Sequence, residues 1–376
     1  MKGTSRISSR HNHRNGSQEI RNVPVFRSER RGHSDFPAQI ELDVPGEWKI
    51  GMSPWDFMDK LKVGVVGVGA LGQHHARVYA SLPNASLVGV VDVRPGRAEE
   101  IAGPLGTQAF DDYRRLLGKV DAVSIAAPTT LHAAIGIEFL KAGADVLIEK
   151  PISHTLQDAD RLIAAARENR RVLQIGHLER FNPAVRALRE IVNRPRFFEA
   201  HRMGLFSPRS LDIDVVLDLM IHDLDLILLL VPSAPSHISA VGISILTKRI
   251  DIANARIEFA DGCVANVTAS RVSMEKIRKL RLFQKQEYIS LDYTRQDVAI
   301  YALRGRPEGG TPEIAARRLT PPRREPLEDE LRAFLGAITG SGAVECTGEE
   351  GRKALGLALK ILEQCEIAQA REIDTK

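Results

Sequence analysis

The stretch KVGVVGVGALGQHH, from Lys62 to His75, is the strongest structural signal in this chain. An apolar run suited to a strand is followed by glycines at G-x-G-x-x-G spacing and then by a helical pattern. The first glycine suits a tight turn, the second lets the backbone approach a phosphate, and the third lets the helix pack closely on the strand. Backbone N–H groups at the start of that helix would face the phosphate. We expect the whole turn to contact a dinucleotide cofactor: Gly67, Val68, Gly69, Ala70, Leu71 and Gly72.

An acidic residue follows at the distance that such a turn requires. Asp92 ends the next apolar run, about 20 residues beyond the glycines. Its carboxylate is expected to accept hydrogen bonds from the adenosine ribose hydroxyls, which favours NAD. Arg94 keeps NADP open as the alternative, because a guanidinium at this position would bind a 2′-phosphate, although it would equally stack on adenine. NAD is therefore the expected cofactor, with NADP second.

The hydrophobic pattern divides the chain into two regions of different architecture. Apolar strands alternate with amphipathic helices from Leu61 to about Gly176, which is typical of a doubly wound parallel sheet. Beyond Pro183, helices are followed by strands of period 2, which indicates a mostly antiparallel sheet with one open face. We expect an α/β protein with a Rossmann domain over residues 60–177. Residues 178–376 are expected to form an α/β substrate-binding and oligomerisation domain with a large open sheet, in which Arg304–Pro326 is a loop.

The stretch DVLIEKPIS, Asp145 to Ser153, is an apolar strand that ends on Glu149, Lys150 and Pro151. The carboxyl edge of a parallel sheet is where α/β proteins keep their reactive groups. Partial desolvation at that edge would suit the Lys150 amine to proton transfer. Glu149 and Lys150 are also expected to lie beside the cofactor. Pro151 favours an extended conformation in the residue before it and permits a cis peptide bond.

Two further segments supply candidate site residues. In APTTLH, Pro128 ends an apolar strand, and Thr129 is expected to reach the cofactor ribose. His132 is either a cofactor contact or a residue of the helix start with a satisfied hydrogen bond. In DLMIHDLD, Asp218 and His222 are four residues apart, so α-helical geometry would place them on one face. The carboxylate would then orient the imidazole as a general base.

Charge and composition exclude several classes of protein. The 376 residues carry a net charge of +4, but residues 1–34 alone hold eight basic and two acidic residues, a net of +6. The remainder is close to neutral, at about −2, and gives no reason to expect nucleic-acid binding. Three isolated cysteines fit a reducing cytoplasm and offer no metal-like spacing. No apolar stretch approaches the roughly 20 residues of a membrane span.

The first 59 residues are expected to be a disordered basic extension, because they lack any hydrophobic period. They are either a solvated tail or an overextended start, with translation beginning near Met52 or Met58. A nucleic-acid or targeting role for this segment is the alternative. The segment lacks the apolar core of a secretory signal.

The motifs GVGALG, APTTLH, EKP and DLMIHDLD, in this order, resemble those of the glucose–fructose oxidoreductase/inositol dehydrogenase family. The resemblance extends over about Lys60 to Ala370. It implies a Rossmann domain joined to an α/β domain whose open sheet commonly mediates oligomers. It further implies oxidation or reduction of a sugar or cyclitol hydroxyl with a nicotinamide cofactor, with Lys150, Asp218 and His222 as the catalytic residues. Met220 departs from the family, which often has glycine there.

The segment GHLERFNP, Gly176 to Pro183, is similar to the branch of this family that acts on nucleotide sugars, the UDP-N-acetylglucosamine 3-dehydrogenases that supply 3-amino sugars for lipid A. Its RFNP run also recurs in members with other substrates. Arg180 offers a bidentate fork for phosphate or hydroxyls, and a salt bridge to Glu179 is the alternative. The expected substrate contacts are Lys150, His177, Arg180, Asn182 and His222.

The expected activity is hydride transfer from a secondary hydroxyl of a sugar, preferably a UDP-N-acetylhexosamine, to the nicotinamide. An inositol or monosaccharide dehydrogenase is the alternative within the family. A non-catalytic, dinucleotide-sensing protein is the alternative of another class. A cytoplasmic homo-oligomer, either a dimer or a tetramer, is expected, with no resident metal and with neither a membrane nor a nucleic acid as a partner.

Overall fold

The computed structural model describes residues 60–206, 213–305 and 313–374. The basic extension predicted over residues 1–59 lies outside the described residues, so its expected disorder stays a prediction. The boundaries predicted at residues 60, 177 and 178 also stay predictions. Among the described residues, no helix is both long enough and apolar enough to cross a membrane.

Six parallel strands form the first sheet, in the order β3-β2-β1-β4-β5-β6. This order confirms the predicted Rossmann architecture, whose topological switch point lies between the two central strands. The strands are β1 (Leu61–Val66), β2 (Ala85–Val91), β3 (Gln108–Phe110), β4 (Ala122–Ile125), β5 (Asp145–Glu149) and β6 (Leu173–Gly176). The helices between them are α1 (Gly72–Ser81), α2 (Arg97–Leu105), α3 (His132–Lys141) and α4 (Leu156–Glu168).

Eight strands form the second sheet, in the order β14-β13-β12-β11-β7-β10-β9-β8. All neighbours are antiparallel except β7 and β10, which are parallel, so the predicted, mostly antiparallel sheet is confirmed. The strands are β7 (Phe197–Met203), β8 (Pro235–Ile243), β9 (Ile252–Phe259), β10 (Val264–Ser270), β11 (Ile277–Gln284), β12 (Glu287–Asp292), β13 (Asp297–Arg304) and β14 (Glu313–Leu319). The remaining helices are α5 (Pro183–Arg189), α6 (Ile221–Leu230), α7 (Pro326–Ile338) and α8 (Gly348–Asp374).

Within the described part of the chain, helices cover both faces of the first sheet but only one face of the second. Strand β5 is buried at every position, as a strand covered on both faces must be. In the second sheet, apolar side chains of α5, α6 and α8 pack on one face, and alternate strand residues point to the open face. Helix α7 packs on the first sheet instead, where Leu331, Phe334 and Leu335 join the core under α1.

The expectation that Arg304–Pro326 forms a loop was wrong. Strand β14 occupies Glu313–Leu319 and pairs with β13 at the edge of the second sheet. Its residues are mostly exposed, so the sequence EIAARRL carries no alternation of buried and exposed side chains from which a strand could be read. Backbone hydrogen bonds to β13 hold this strand, although its side-chain pattern does not predict one.

Candidate active site

The glycine turn has the close-packed geometry that a dinucleotide cradle requires. Gly67 has φ +83°, a left-handed conformation that favours glycine. A Cβ at Gly72 would lie 1.8 Å from the Gly67 carbonyl oxygen, so only hydrogen fits where α1 begins. A Cβ at Gly69 would meet only the Arg94 guanidinium, at 3.6 Å, which leaves that side of the turn open to a ligand. No side chain caps the start of α1, where the N–H groups of Gln73 and His74 donate to the Gly69 and Leu71 oxygens, and the positive end of the helix dipole is open to an anion.

Asp92 and Arg94 form a bidentate pair at the end of β2. Nε and Nη2 of Arg94 each donate to the Asp92 carboxylate at 3.0 Å. Burial alone would raise the pKa of Asp92, but the bonds from Arg94 hold it below its ordinary value. The carboxylate is therefore charged and lies one strand away from the glycine turn, as the ribose-binding hypothesis requires. The Arg94 side chain is 60% exposed, so Asp92 is the better-fixed member of the pair.

The loop after β4 lies against the cis peptide bond between Lys150 and Pro151. The His132 ring is buried between two backbone carbonyls, with Nδ1 2.9 Å from Pro151 O and Nε2 2.8 Å from Ala127 O. Burial lowers its pKa, and a neutral ring donates to one of these oxygens. The expected cofactor contact of His132 is therefore corrected to a link between two loops. Pro128 and Thr129 precede it at the mouth of the loop, where Thr129 is half-buried.

Lys150 is held over the carboxyl edge of β5 by a single residue of the second domain. Its Nζ donates to the backbone oxygen of Asp218 at 2.7 Å and to the carboxylate Oδ1 at 3.3 Å. The lysine side chain is 11% exposed, so the ammonium is largely desolvated. The structure therefore brings together two of the three predicted catalytic residues.

His222 lies in the same region but does not contact Asp218 as predicted. The helical segment Val216–Met220 is a π-helical turn, which changes the angle between residues four apart, so the α-helical geometry assumed for this pair does not hold. Nδ1 of His222 is buried and has no hydrogen-bond partner. Burial lowers the pKa of His222 well below its ordinary value, and the charges of Lys150 and Arg202 lower it further. The surroundings of this ring therefore favour a neutral imidazole.

The three predicted substrate contacts of the GHLERFNP segment differ in whether their polar atoms are already bonded within the protein. His177 is 1% exposed, and both of its ring nitrogens lack a hydrogen-bond partner. Burial lowers its pKa, the charge of Asp225 raises it, and the charges of Arg180 and Lys150 lower it further. Nδ1 lies 3.7 Å from Asp225 Oδ2, which leaves Nε2 as the ring nitrogen that a ligand would bind.

Arg180 and Asn182 are used within the protein. Nε and Nη2 of Arg180 donate to Asp225 at 2.8 and 2.6 Å, and Nη1 donates to the Glu345 carbonyl at 2.7 Å. Asn182 caps α5 and donates to the Tyr293 carbonyl. Both side chains are almost fully buried, so the expected substrate contacts of Arg180 and Asn182 are corrected to structural roles.

A metal-like grouping lies beside this ion pair. Potential ligand atoms of His177, Asp225 and Cys346 lie within 4.8 Å of one another. The guanidinium of Arg180 already binds both carboxylate oxygens of Asp225, so the positive charge at this carboxylate is supplied by the chain itself.

A buried hydrogen bond between α1 and β5 was missed by the sequence analysis. His75 on α1 donates from Nε2 to Glu149 Oε1 at 2.9 Å. Burial raises the pKa of Glu149, but the bond from His75 and the charge of Lys150 bring it below its ordinary value. Glu330 on α7 is buried near this carboxylate, and burial raises its pKa well above normal, which keeps it neutral. The quoted motif contained His75, but no local pattern pairs it with a residue 74 positions away.

Two arginines on the second sheet were also missed. Arg202 donates to Asp223 at 2.7 Å and to Glu179 at 3.0 Å, and Tyr293 donates to Asp223 at 2.9 Å. Arg278 lies opposite Arg202 across β7 and β11. The alternation along β11 places Arg278 on the same face as Leu280.

Comparison with known proteins identifies the architecture. Residues 61–177 match the model of the oxidoreductase family with a NAD-binding Rossmann fold, GFO/IDH/MocA, and residues 189–286 match a C-terminal domain of the same family. The UDP-N-acetylglucosamine 3-dehydrogenase of Acidithiobacillus ferrooxidans is 41% identical over 81% of this chain and 97% of its own length. A solved structure of that dehydrogenase superposes with a TM-score of 0.77, covering 82% of this chain and 99% of its own.

A more distant relative acts on a cyclitol. The NAD-dependent scyllo-inositol 2-dehydrogenase of Bacillus subtilis is 30% identical over 57% of this chain and 68% of its own length. The two family matches lie in the first sheet with its helices and in the second sheet. The resemblance read from the motifs is confirmed: the chain belongs to the GFO/IDH/MocA oxidoreductase family and is a NAD-dependent oxidoreductase of the sugar and cyclitol dehydrogenase type.

Proposed function

We propose that this enzyme oxidises the 3-hydroxyl of UDP-N-acetylglucosamine to a ketone, with NAD as the hydride acceptor. The 41% identity to a UDP-N-acetylglucosamine 3-dehydrogenase over almost all of that protein's length supports this substrate. The observation that carries the proposal is the bond from Lys150, at the end of β5, to Asp218, which lies four residues before His222. His177, directly after β6, and His222 each have a buried ring nitrogen without a hydrogen-bond partner. Such a product serves amino-sugar synthesis for lipid A or surface polysaccharides.

In this proposal the cofactor is held by the glycine turn, by Asp92 and by the loops that carry Thr129 and Lys150. Gly67 and Gly72 shape the turn, and the start of α1, which no side chain caps, faces the pyrophosphate. Asp92 accepts from the ribose and thereby disfavours a 2′-phosphate. Bound NAD supplies the acceptor for hydride from the sugar carbon.

Neutral His222 acts as the general base and takes the hydroxyl proton as the carbon loses hydride. Its environment suits this role, because burial and nearby cations keep the imidazole unprotonated. Lys150 orients the same hydroxyl through its remaining N–H and stabilises the developing negative charge on oxygen. Asp218 positions Lys150 rather than His222. His177 offers a further hydrogen bond to the sugar.

A substrate panel tests the proposal directly. Purified protein is mixed with NAD and either UDP-N-acetylglucosamine, UDP-N-acetylgalactosamine, myo-inositol or glucose, and cofactor reduction is followed by absorbance. We expect UDP-N-acetylglucosamine to give the highest kcat/KM, with the new ketone at C3 by NMR. A preference for inositol, supported by the 30% identical relative, would replace the proposal with a cyclitol dehydrogenase. NAD binding without reduction by any member of the panel would favour a sensing protein.

We further infer that the enzyme is a cytoplasmic homo-oligomer that associates through the open face of the second sheet. Phe197, Phe283, Tyr288 and Tyr301 form a row of aromatic rings with centroids 5.0–5.8 Å apart. Phe283 and Tyr301 are 39% and 42% exposed, an arrangement that a second copy would cover. The free cysteines fit a reducing compartment. Light scattering on Tyr301→Glu, which should shift the protein toward monomer, tests the interface.

A further inference from the structure

Arg278 is a half-buried cation on the helix-covered side of the second sheet. In strand β11, Leu280 and Leu282 point into the core beneath α6, and the period of two places Arg278 on the same face. Among the residues that the structure describes, this guanidinium forms neither a hydrogen bond nor an ion pair. Partial burial removes some of the water around this guanidinium, so a ligand that supplies negative charge would be bound favourably here.

The neighbouring arginine, Arg202, differs from Arg278 because carboxylates balance its charge. Arg202 lies directly opposite Arg278 in the antiparallel pair of β7 and β11, so both side chains project from the same face. Arg202 is bound by Asp223 and Glu179, and its guanidinium lies 4.8 Å from the centre of the Tyr293 ring. The carboxylates within reach are thus bonded to Arg202 or, in the case of Asp218, to Lys150.

Arg278 belongs to the same electrostatic environment as the candidate base. Its charge helps to lower the pKa of His222, after the larger effects of burial, Lys150, Arg202 and His177. Burial and Arg202 lower the pKa of Arg278 itself, and the charges of Glu179, Asp223 and Asp218 raise it. Arg278 lies opposite Arg202, which is bonded to Asp223, the residue next to His222. A substrate hydroxyl at His222 would therefore bring the rest of the substrate toward the Arg278 guanidinium.

We propose that Arg278 binds an anionic group of the sugar substrate through its guanidinium fork. The shared chemistry is a pair of anionic oxygens, supplied either by the phosphates of a nucleotide sugar or by the carboxylate of a sugar acid. This inference rests on the proposed sugar-dehydrogenase function and extends it by naming the residue that selects charged sugars. A neutral cyclitol lacks a group that would compensate Arg278, so it is rejected.

The test uses the full-length protein, with Arg278→Gln and Arg278→Lys as variants. The matched control is Lys279→Gln, since Lys279 is the next residue of β11, points to the opposite face and also lacks an ion pair among the described residues. Thermal unfolding and NADH affinity are measured first, to establish that each variant is folded. Calorimetry on the NADH-loaded proteins then measures the affinities for UDP and for D-glucuronate. Steady-state assays measure KM and kcat for UDP-N-acetylglucosamine.

We expect Arg278→Gln to weaken binding of one anionic probe and to raise the KM for UDP-N-acetylglucosamine, each by about 10- to 100-fold. Arg278→Lys should recover part of the loss, because it keeps the charge but not the fork. Lys279→Gln should match the wild type. Loss confined to UDP identifies phosphate as the source of the anion, and loss confined to glucuronate identifies a carboxylate.

The two proposals fail in different ways. If the wild type oxidises UDP-N-acetylglucosamine and Arg278→Gln leaves its KM and both probe affinities unchanged, Arg278 binds no anion and only this inference is overturned. If the wild type oxidises no UDP-sugar but binds UDP or glucuronate in an Arg278-dependent way, the inference stands and the proposed substrate is wrong. Equal losses in the Lys279→Gln control would also overturn the inference, because they would report a general effect of surface charge.

Discussion

Lys150 donates two hydrogen bonds to one residue, Asp218, at 2.7 Å to the backbone oxygen and at 3.3 Å to the carboxylate. Two of the three N–H groups of the ammonium are thereby oriented, and the third is left for a substrate oxygen. We predict that Lys150→Met lowers kcat by about 10²- to 10⁴-fold and leaves NADH affinity within a factor of about three. Lys141→Met, at the exposed end of α3, is the control and should change neither. A fully active Lys150→Met enzyme would remove this residue from the chemistry.

The pH dependence of kcat/KM should report a base that stays neutral in mild acid. Burial first, and then the cations Lys150, Arg202 and Arg278, lower the pKa of His222. Activity should therefore persist below pH 6.5 and fall only when the imidazole becomes protonated at lower pH. His222→Asn should abolish this acidic limb and lower the rate by about 10²- to 10⁴-fold. An unchanged profile in the variant would transfer the role of base to Lys150.

A second consequence concerns the cations that surround His222. Removing a positive charge makes protonation of the ring easier, so Arg278→Gln should raise the pKa of His222. The acidic limb of the kcat/KM profile should then move to higher pH. Lys279→Gln, on the opposite face of β11, should leave the limb where it is in the wild type. A shift in the other direction would contradict the described placement of Arg278.

The packing of Gly72 makes the cofactor turn sensitive to a single methyl group. Gly72→Ala would drive Cβ into the Gly67 carbonyl, so we expect a stability loss of about 1–3 kcal/mol and at least about a tenfold loss of NADH affinity. Gly356→Ala is the matched control. Its Cβ would meet Leu156 at 3.6 Å in the interior of α8, and helix propensity favours alanine by about 1 kcal/mol. Denaturant unfolding and NADH fluorescence titration measure both effects.

Cofactor preference should depend on Asp92. In the wild type, the Arg94 guanidinium donates two hydrogen bonds to the Asp92 carboxylate. Asp92→Ala removes that carboxylate and releases the guanidinium. The ratio of kcat/KM for NADP to that for NAD should rise by about tenfold, because a freed arginine binds a 2′-phosphate. Asp111→Ala, at an exposed acid just beyond β3, should leave the ratio unchanged. A constant ratio in both variants would show that Asp92 does not select the cofactor.

Arg180 should matter for stability rather than for substrate affinity. Arg180→Met leaves Asp225 charged and unpaired in the interior, which costs about 3–5 kcal/mol of unfolding free energy. Arg189→Met removes a half-exposed pair with Glu345 and should cost no more than about 1 kcal/mol. Chemical denaturation gives both values. A raised KM with unchanged stability in Arg180→Met would restore the substrate-binding hypothesis.

Local patterns predicted the parts of the fold that depend on local chemistry. The glycine turn, the buried parallel strands and the position of Lys150 at a strand end were all readable, because each depends on neighbouring residues. Strand β7 was not predicted, because FFEAHRM places one charged residue, Arg202, on its buried face, where Asp223 and Glu179 bind it in the folded chain. A buried arginine in a strand is expected only when its acidic partners are known, and these partners lie elsewhere in the sequence.

The predicted site failed where it depended on helix geometry or on distant partners. VLDLM reads as ordinary helix, and nothing in its composition signals the π-helical turn that separates Asp218 from His222. Arg180 finds Asp225, which lies 45 residues further on, through tertiary packing alone. Arg278 was overlooked for the converse reason, since no local pattern distinguishes an unpaired arginine from a solvated one.

Helix α7 completes the core of the first sheet although it lies near the other end of the chain. Leu331, Phe334 and Leu335 pack beneath α1 and the central strands. During synthesis, the ribosome must therefore deliver residue 335 before this apolar layer can close. Until then the first sheet of the nascent chain exposes apolar surface, and chaperones are expected to bind it during most of translation.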